Sequence, residues 1–327
     1  MSKENKEVDV LIISYNNEDF IKETMESVLN QNYSNIRKII IADDGSKDST
    51  QNIIKEYADK YPQIEPVLAK ENKGIAHNVN RGLKRIKAEY VASMGGDDLM
   101  FPEKIEKQVE YLNNNPDVVV CSHDMDVFNS VNRQSMGCFS EILNYKKFKD
   151  KVGVEYLFDP AMSLCPPSYM FRSKVIPKKG YDTRLKLLSE LIFDTEVLMN
   201  GKMGYIDEVL GIYRRNGNNV STNNIRDEIG LEEFLIAYSI IVARYPELNK
   251  YVQRGKSALY FSKAMRCMMK GNKKRAKDLS KVLITEGNYV KGTFAYLISS
   301  IISSNFLNRV YESKYQHNIV GLLLKSI

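Results

Sequence analysis

Short apolar runs alternate with amphipathic stretches in the first part of the chain. Runs rich in Val and Ile predict buried strands, because these side chains pack well on a sheet that is covered on both faces. The predicted strands cover residues 8–14, 37–42, 64–68, 90–94 and 118–122. Between them, apolar residues recur at helical spacing and predict helices over residues 18–30, 49–61, 74–86 and 102–112.

This alternation predicts an α/β fold in which βαβ units surround a mostly parallel sheet. Polar clusters follow three of the predicted strands, and open α/β sheets bind their ligands at the carboxyl ends of the strands. We therefore expect these clusters to meet in one crevice. They are Ser14, Tyr15 and Asn16 after the first strand, Asp43 and Asp44 after the second, and Asp97 and Asp98 after the fourth.

The pattern changes beyond residue 130. Residues 130–220 are irregular apart from a predicted helix over 190–200, which Gly201 would end, and an extended stretch over 205–213. Beyond Thr222 the pattern is helical, and residues 258–270 and 273–285 predict an antiparallel helix pair. We therefore expect an α/β domain over residues 1–222 and a helical region over residues 223–327.

Composition limits the classes of protein to consider. The chain has 327 residues, 43% of them hydrophobic and only 9 of them proline, which excludes a mainly disordered or fibrous protein. Four cysteines lie far apart without a CxxC pair, which excludes a cysteine zinc site and indicates reduced thiols in the cytoplasm. The polar N-terminus, MSKENKEVDV, predicts that there is no secretory signal.

The net charge of +6 conceals two unlike parts. Residues 241–327 contain 16 basic and 4 acidic residues, whereas residues 1–240 contain 31 basic and 37 acidic residues. Such asymmetry indicates either a polyanionic partner for the basic part or a solvated, lysine-rich helical face. Because the chain has no nucleic-acid-binding motif, we expect no nucleic-acid partner, and an anionic membrane surface is the favoured candidate.

The paired carboxylates are the main chemical signal. Carboxylate oxygens suit Mg²⁺ or Mn²⁺, which proteins often hold through one or two carboxylates together with substrate phosphates. The alternative for each pair alone is a turn or a helix cap. No glycine-rich phosphate loop follows the first strand, which argues against dinucleotide oxidoreductases and P-loop NTPases.

Three blocks of sequence resemble the family 2 glycosyltransferases of GT-A fold. They are VDVLIISYNNEDFIKETMESVLNQNY, IIIADDGSKDST and NKGIAHNVNRGLKRIKAEYVASMGGDDLMFPEKIEKQVEYL, and a weaker match resumes at GKMGYIDEVLGIYRRNGNNVS. The resemblance implies a GT-A fold, a nucleotide-diphosphate sugar donor and inversion at the anomeric carbon. It also implies a Mn²⁺ or Mg²⁺ cofactor.

The resemblance assigns roles to individual positions. Tyr15, between Ser14 and Asn16 of the donor-binding segment, matches the residue that packs on the nucleotide base. Asp44, with Asp43 beside it, matches the aspartate that hydrogen-bonds uracil or thymine. Asp97 matches the metal-binding aspartate, and Asp98 its neighbour near the donor sugar. Gly95 stands where the family often has an aspartate that faces the ribose.

The catalytic base of such enzymes is an acid near the start of a helix. In this chain Glu190, eleven residues before Gly201, matches that position, and Asp194 is the alternative one turn later. We expect Ser189 to cap the helix. Arg214 and Arg215 are candidates for the diphosphate, because planar guanidinium groups can bind it in a bidentate way, although each alone suits a surface ion pair equally well.

These observations predict a metal-dependent, inverting hexosyl- or hexosaminyltransferase with a UDP-sugar as the favoured donor. The expected acceptor is a saccharide, lipid-linked in surface polysaccharide assembly such as O-antigen synthesis, and His123 is a minor candidate for the acceptor side. Residues 292–308 are free of charge but shorter than the roughly 20 residues of a membrane span, so a buried or interfacial helix is expected. We expect a cytoplasmic protein, peripheral at the inner face of the cell membrane. The alternatives are a sugar nucleotidyltransferase and a non-catalytic saccharide- or lipid-binding protein.

Overall fold

The computed structural model describes residues 6–142, 151–159, 165–216 and 230–301. The chain divides into two compact units. The first contains residues 1–157 and 161–241, and the second contains residues 158–160 and 242–327. The predicted domain boundary between residues 222 and 223 lies outside the described residues and stays a prediction.

The first unit is built on one sheet, which has nine strands in the described part of the chain. They are β1 (Val8–Ser14), β2 (Ile36–Asp43), β3 (Ile64–Leu68), β4 (Tyr90–Gly95), β5 (Leu99–Met100), β6 (Val118–Asn129), β7 (Gln134–Cys138), β8 (Met170–Arg172) and β9 (Lys202–Arg215). The spatial order is β3-β2-β1-β4-β8-β6-β9-β5, and β7 pairs with β6.

The sheet is mixed, and its parallel part carries the polar clusters. Strands β3, β2, β1 and β4 are parallel neighbours, as are β6 and β9. The short strand β8 runs antiparallel between β4 and β6, and β5 runs antiparallel to β9. The predicted α/β class is therefore confirmed, with short antiparallel strands joining two parallel sections.

Helices cover the sheet on both faces. In the first unit they are α1 (Ile21–Leu29), α2 (Thr50–Lys60), α3 (Ile75–Leu83), α4 (Lys104–Asn114), the short α5 (Phe139–Ile142) and α6 (Ser189–Leu198). Alternate residues of β1, such as Val10 and Ile12, join the core formed with α1, α2 and α4. On the other face α3 lies close to β1, because a Cβ at Gly82 would be 2.3 Å from a methyl carbon of Leu11.

Four helices follow in the remainder of the described chain. They are α7 (Gly230–Arg244), α8 (Asn249–Met269), α9 (Lys273–Thr285) and α10 (Tyr289–Ile301). Helix α9 packs against both α8 and α10, so the predicted helix pair forms. Of the predicted segment 292–308, the part up to Ile301 belongs to α10 and the rest lies outside the described residues. Within the described ranges, none of the helices combines the length and apolar character needed to cross a membrane.

Candidate active site

The predicted polar clusters meet at the carboxyl edge of the parallel section. The backbone N–H of Asp44, after β2, donates to the carbonyl oxygen of Ser14 at 3.0 Å. On the other side of β1, the N–H of Gly96 donates to the carbonyl oxygen of Ile13 at 2.8 Å. A Cβ at Gly96 would be 2.8 Å from Asn17 Oδ1, so the loop after β4 lies directly against the loop after β1.

The loops after β1 and β2 are also joined to each other. Asn16 adopts a left-handed backbone conformation with φ of 52°, which Asn tolerates better than most residues. Its N–H donates to Ser46 Oγ at 2.8 Å, and its Oδ1 accepts from the N–H of Lys47 at 2.9 Å. Next to it the Tyr15 side chain is 42% exposed, so its ring is accessible at this edge.

Asp43 and Asp44 are both buried and both hydrogen-bonded. The carboxylate of Asp43 accepts from the N–H and the hydroxyl of Ser46 and from Gln51 Nε2. The carboxylate of Asp44 accepts from the N–H groups of Lys73 and Gly74, which precede α3. These two carboxylates therefore fix the loops that surround them.

Gly45 is required by the shape of the same loop. Its φ of +72° lies in the left-handed region that favours glycine, and a Cβ at this position would be 2.6 Å from the backbone of Glu71. Because the neighbouring atoms belong to the backbone, a side chain at residue 45 would displace the segment that leads to α3.

The Asp97–Asp98 pair is enclosed by the end of β9. The N–H of Arg214 donates to Asp98 Oδ1 at 3.1 Å, and Asn216 Nδ2 donates to Asp97 Oδ2 at 3.0 Å. The hydroxyl of Thr24 in α1 donates to the backbone carbonyl oxygens of Gly96 and Asp98. Strand β9 and helix α1 therefore hold the loop that carries the two aspartates.

Burial gives this pair unusual acidities. It raises the pKa of Asp97, and together with the charge of Asp97 it raises the pKa of Asp98 to about 8. Lys104, at the start of α4, is fully buried, and its Nζ donates to the carbonyl oxygen of Pro167 at 2.7 Å. Burial lowers the pKa of Lys104 to about 8, while the charge of Asp98 opposes that shift.

The two predicted arginines differ in environment. Arg214 is 7% exposed, and its guanidinium donates to the carbonyl oxygen of Asp97 and to the carboxylate of Glu23. Because consecutive side chains of a strand point to opposite faces, Arg215 lies on the other face of β9. The Nε of Arg215 is buried and has no hydrogen-bond partner among the described residues.

Glu190 lies in the first turn of α6. Burial raises the pKa of Cys165, and the charges of Asp98 and Glu190 both raise it further, so Cys165 is within electrostatic reach of both acids. Burial and the charge of Glu190 raise the pKa of Asp194 well above its ordinary value. Glu190 itself is half-buried, whereas Asp194 is 5% exposed.

The start of α6 differs from the expected cap. Ser189 is the first helical residue, the cap position is Leu188, and no side chain of the helix accepts a hydrogen bond at that cap. The expectation that Ser189 caps the helix is therefore wrong, because the helix begins one residue earlier than predicted.

A family model described as "Glycosyl transferase family 2" matches residues 9–177, which is more than half of the chain. The chain belongs to glycosyl transferase family 2. The match includes the loops after β1, β2 and β4, so the resemblance of the three sequence blocks is confirmed.

Related sequences agree with this family. The chain is 27% identical over 311 residues to an uncharacterized glycosyltransferase of Rickettsia prowazekii, covering 91% of this chain and 90% of that one. It is 32% identical over 213 residues to an uncharacterized glycosyltransferase of Rickettsia typhi, where the match covers 60% of this chain and 64% of the relative.

Solved glycosyltransferases share the fold of this family 2 chain. Staphylococcus aureus TarS 1–349 in complex with UDP-GlcNAc has a TM-score of 0.62 and 16% identity, with 93% of this chain and 91% of that chain covered. A mannosyltransferase from Pyrobaculum calidifontis in complex with GDP-Man and Mn²⁺ has a TM-score of 0.60 and 15% identity, with 98% and 86% covered. The GT-A fold is therefore confirmed.

The donor set of this glycosyltransferase fits a divalent cation. Within the described residues there is no cluster of three or more His, Cys, Asp or Glu side chains that could hold a metal ion. Asp97 and Asp98 still offer two adjacent carboxylates, and Mg²⁺ is commonly held by one or two carboxylates plus substrate phosphates. Their raised pKa values mean that nearby positive charge would stabilise the ionised pair.

Gly95 makes room for these carboxylates. A Cβ at residue 95 would be 2.8 Å from Asp97 Oδ1 and 2.8 Å from Asp98 Oδ2. A side chain at the position where the family often has an aspartate would therefore have to displace both acids of the pair. The glycine fits a site in which two carboxylates, rather than three, occupy this loop.

His123 is buried beside the site rather than open to it. The side chain is 2% exposed, in β6, with Nδ1 2.6 Å from the carbonyl oxygen of Asp124. Burial and then the charge of Lys104 hold the pKa of His123 well below 6.5. His123 lines a small cavity together with Ser168.

The depressed pKa of His123 predicts a loss of stability in acid. The unfolded chain binds a proton on this histidine below about pH 6.5, whereas the folded chain does not. The stabilising contribution is therefore complete above that pH and is lost as the pH falls, by up to about 1.4 kcal/mol per pH unit. Urea unfolding at about pH 7.5 and about pH 5.5 should show a smaller pH dependence for His123→Asn, whose amide can still donate to Asp124. An unchanged pH dependence would contradict this prediction.

Three residues at the site were not predicted from the sequence. Asn216 donates to Asp97, Glu23 accepts from Arg214, and the buried Lys104 is within electrostatic reach of Asp98. Asn216 directly follows the predicted arginine pair, so its proximity could have been noticed. Lys104 and Glu23 carry no such signal, because polar residues in the first turn of an amphipathic helix are ordinarily exposed.

Proposed function

We propose that this family 2 glycosyltransferase transfers a sugar from a nucleotide-diphosphate sugar to a hydroxyl group of a saccharide, with inversion and with a divalent metal ion. The observation that carries the proposal is the position of the acids. The Asp97–Asp98 pair follows β4, Glu190 lies in the first turn of α6, and the charges of Asp98 and Glu190 both act on Cys165. This arrangement supports separate groups for the leaving diphosphate and for the attacking hydroxyl.

The donor would bind across the loops after β1, β2 and β4. Tyr15 offers an exposed ring to the base, within a segment that includes Ser14 and Asn16. Asp43 and Asp44 shape the adjoining loop, and a UDP-sugar is the favoured donor because Asp44 matches the uracil-binding position. The ligands of the two similar structures, UDP-GlcNAc and GDP-Man, support a nucleotide-diphosphate sugar of either base class.

Asp97 would bind Mg²⁺ or Mn²⁺, with Asp98 beside it near the donor sugar. When bound, the metal ion supplies positive charge that stabilises the diphosphate as it leaves. Asn216 and Arg214 fix the orientation of the two carboxylates through the hydrogen bonds described above. Arg214, whose guanidinium donates to the carbonyl oxygen of Asp97, would be the arginine that contacts phosphate, whereas the predicted role of Arg215 has no such support because it lies on the other face of β9.

Glu190 would act as the general base. It accepts the proton of the acceptor hydroxyl as that oxygen forms a bond to the anomeric carbon and the bond from this carbon to the diphosphate oxygen breaks. Attack opposite the leaving group inverts the configuration. The half-buried position of Glu190 favours it over the buried Asp194, because burial and the charge of Glu190 raise the pKa of Asp194 and favour its protonated form.

The experiment that tests this function is a donor panel. Purified protein is incubated with UDP-, GDP- and dTDP-sugars, with and without Mn²⁺ or Mg²⁺, and release of the nucleoside diphosphate is measured. We expect slow, metal-dependent hydrolysis of one donor. A sugar nucleotidyltransferase would instead require added pyrophosphate and would convert the donor into a nucleoside triphosphate and a sugar 1-phosphate. The absence of both binding and turnover across the panel would favour a non-catalytic protein.

We also propose a lipid-linked saccharide acceptor and docking to the anionic inner face of the cell membrane. The support comes from the second unit. Lys273, Lys274 and Arg275 are exposed at the start of α9, and α10 exposes Tyr289 and Val290. Exposed basic groups attract anionic lipid headgroups, and exposed apolar side chains can enter the membrane interface.

Vesicle sedimentation tests this docking. Replacing Lys273, Lys274 and Arg275 together with alanine should weaken binding to phosphatidylglycerol vesicles roughly 100-fold, at about 1 kcal/mol per basic residue. A matched control replaces the exposed residues Lys55, Lys84 and Lys178, which changes the net charge equally but lies in the first unit. Equal effects of the two triple variants, or no preference for anionic over zwitterionic vesicles, would contradict the docking proposal.

A further inference from the structure

Glu233 occupies an unusual position on helix α7. The buried face of this helix contains Gly230, Ala237 and Ile241, at the spacing of one helical face. Glu233 lies on the same face and is only 6% exposed. Burying a carboxylate at an otherwise apolar position costs folding free energy unless the carboxylate is hydrogen-bonded.

Among the described residues, the hydrogen bonds of Glu233 all go to one short backbone segment. Its Oε1 accepts from the N–H of Lys186 at 2.8 Å. Its Oε2 accepts from the N–H of Leu187 at 2.8 Å and from the N–H of Leu188 at 3.2 Å. One carboxylate therefore binds three consecutive N–H groups, which fixes both the position and the direction of this segment.

This segment leads directly into the helix that carries Glu190. Leu188 is the cap residue of α6, and that helix has no side-chain cap of its own. Glu190 follows two residues later, in the first turn. The location of that turn therefore depends on a carboxylate supplied by α7, which follows in the chain more than 40 residues later.

We propose that Glu233 is a positioning residue that places the general base Glu190 by holding residues 186–188. The proposal rests on the proposed function, in which Glu190 accepts the proton of the acceptor. Glu233 itself contacts backbone N–H groups and has no part in the transfer step. Its contribution is geometric, because displacing a reacting group by about 1 Å can lower a rate about 100-fold.

Removing the carboxylate should release the segment. In Glu233→Ala, three buried N–H groups lose their acceptor, and in Glu233→Gln the amide N–H₂ group must face at least one N–H donor. In the described part of the chain the hydrogen bonds of Glu233 go to residues 186–188 and not to the loops after β1, β2 and β4, so donor binding should be preserved. We therefore expect kcat to fall roughly 10- to 100-fold in Glu233→Ala, with a smaller fall in Glu233→Gln and an unchanged donor dissociation constant.

The experiment uses the full chain and two independent readouts. Hydrogen exchange followed by mass spectrometry reports protection of the amides of residues 186–188 and needs no substrate. Turnover and donor affinity are measured with the sugar donor identified in the panel. The matched control is Glu232→Gln, since Glu232 is the adjacent acid on α7 and is exposed. Thermal unfolding of every variant reports whether it folds. If Glu233→Ala does not fold, Glu233→Gln is measured in its place.

A double-mutant cycle separates positioning from general damage to the fold. If Glu233 acts through Glu190, adding Glu233→Gln to Glu190→Gln should cause no further loss of turnover. A merely structural role would lower turnover by the same factor in both backgrounds. We also expect the amides of residues 186–188 to exchange faster in both Glu233 variants than in the wild-type chain. In Glu232→Gln their exchange rate should be unchanged.

The outcomes distinguish the two proposals. If the wild-type chain turns over a donor while the Glu233 variants keep full kcat, the positioning proposal is overturned and the glycosyltransferase function stands. Additive losses in the cycle would also overturn it. If the wild-type chain turns over no donor, the proposed function fails, and the exchange measurement still reports separately whether Glu233 holds residues 186–188.

Discussion

Asp97→Ala should lower metal-dependent donor turnover by at least about 100-fold. Asp97 is the acid assigned to the metal ion, and its Oδ2 is already oriented by Asn216. Without this carboxylate the metal ion would lose a ligand, and the leaving diphosphate would lose the positive charge that stabilises it. Turnover is measured as release of nucleoside diphosphate over a series of Mn²⁺ concentrations.

The metal series makes this result specific. Asp97→Asn keeps the shape of the side chain and one oxygen, so it should retain some turnover at a higher Mn²⁺ concentration than the wild-type chain needs. The control is Asp59→Asn, which changes the charge equally at an exposed position of α2. Full turnover by Asp97→Ala at the wild-type Mn²⁺ concentration would rule out Asp97 as the metal ligand.

Glu190→Gln should lower turnover by about 100- to 10,000-fold, the range typical of a lost general base. The amide cannot accept the proton of the attacking hydroxyl, but it keeps the size and hydrogen-bonding reach of the acid. Donor affinity, measured by equilibrium dialysis with Mn²⁺ present, should therefore stay close to that of the wild-type chain. A loss confined to kcat would identify a group that acts on the reacting atoms.

Asp194→Asn is the comparison that decides between the two acids of α6. Burial and the charge of Glu190 raise the pKa of Asp194 well above its ordinary value, which favours its neutral form. Its replacement by a neutral amide should change turnover far less than Glu190→Gln does. Glu196→Gln, later on the same helix, controls for a loss of charge on α6. If Asp194→Asn has the larger effect, Asp194 is the base.

The strands of the parallel section could be predicted because their patterns are local. Strand β1 and strand β3 have the bounds that their apolar runs predict, and helix α9 also begins and ends where predicted. Strand β6 extends to Asn129, beyond the predicted 118–122. Its later part was not predicted because it contains polar residues such as His123 and Asp124, which are buried but interrupt the apolar run. Those residues are accommodated by pairing with β9, which no local pattern reveals.

The acids of the site could be predicted because each pair lies at or just beyond the carboxyl end of an apolar strand. Parallel strands align their carboxyl ends, so Asp44 and Asp97 had to lie at one edge once β1, β2 and β4 were recognised. The groups that orient these acids could not be found in this way. Asn216 and Glu233 reach their partners across more than 40 residues of sequence, and only the folded chain brings them together.

The hydrogen bonds between the loops after β1 and β2 have a consequence for how a donor would bind. Asn16 and Ser46 hold each other in place, and the N–H of Asn17 donates to Thr50 Oγ1. The conformational entropy of these loops is therefore lost during folding and not during association. The loops that would bind the base of the donor are therefore already ordered before binding. The affinity for the donor is not lowered by an entropy cost of ordering them.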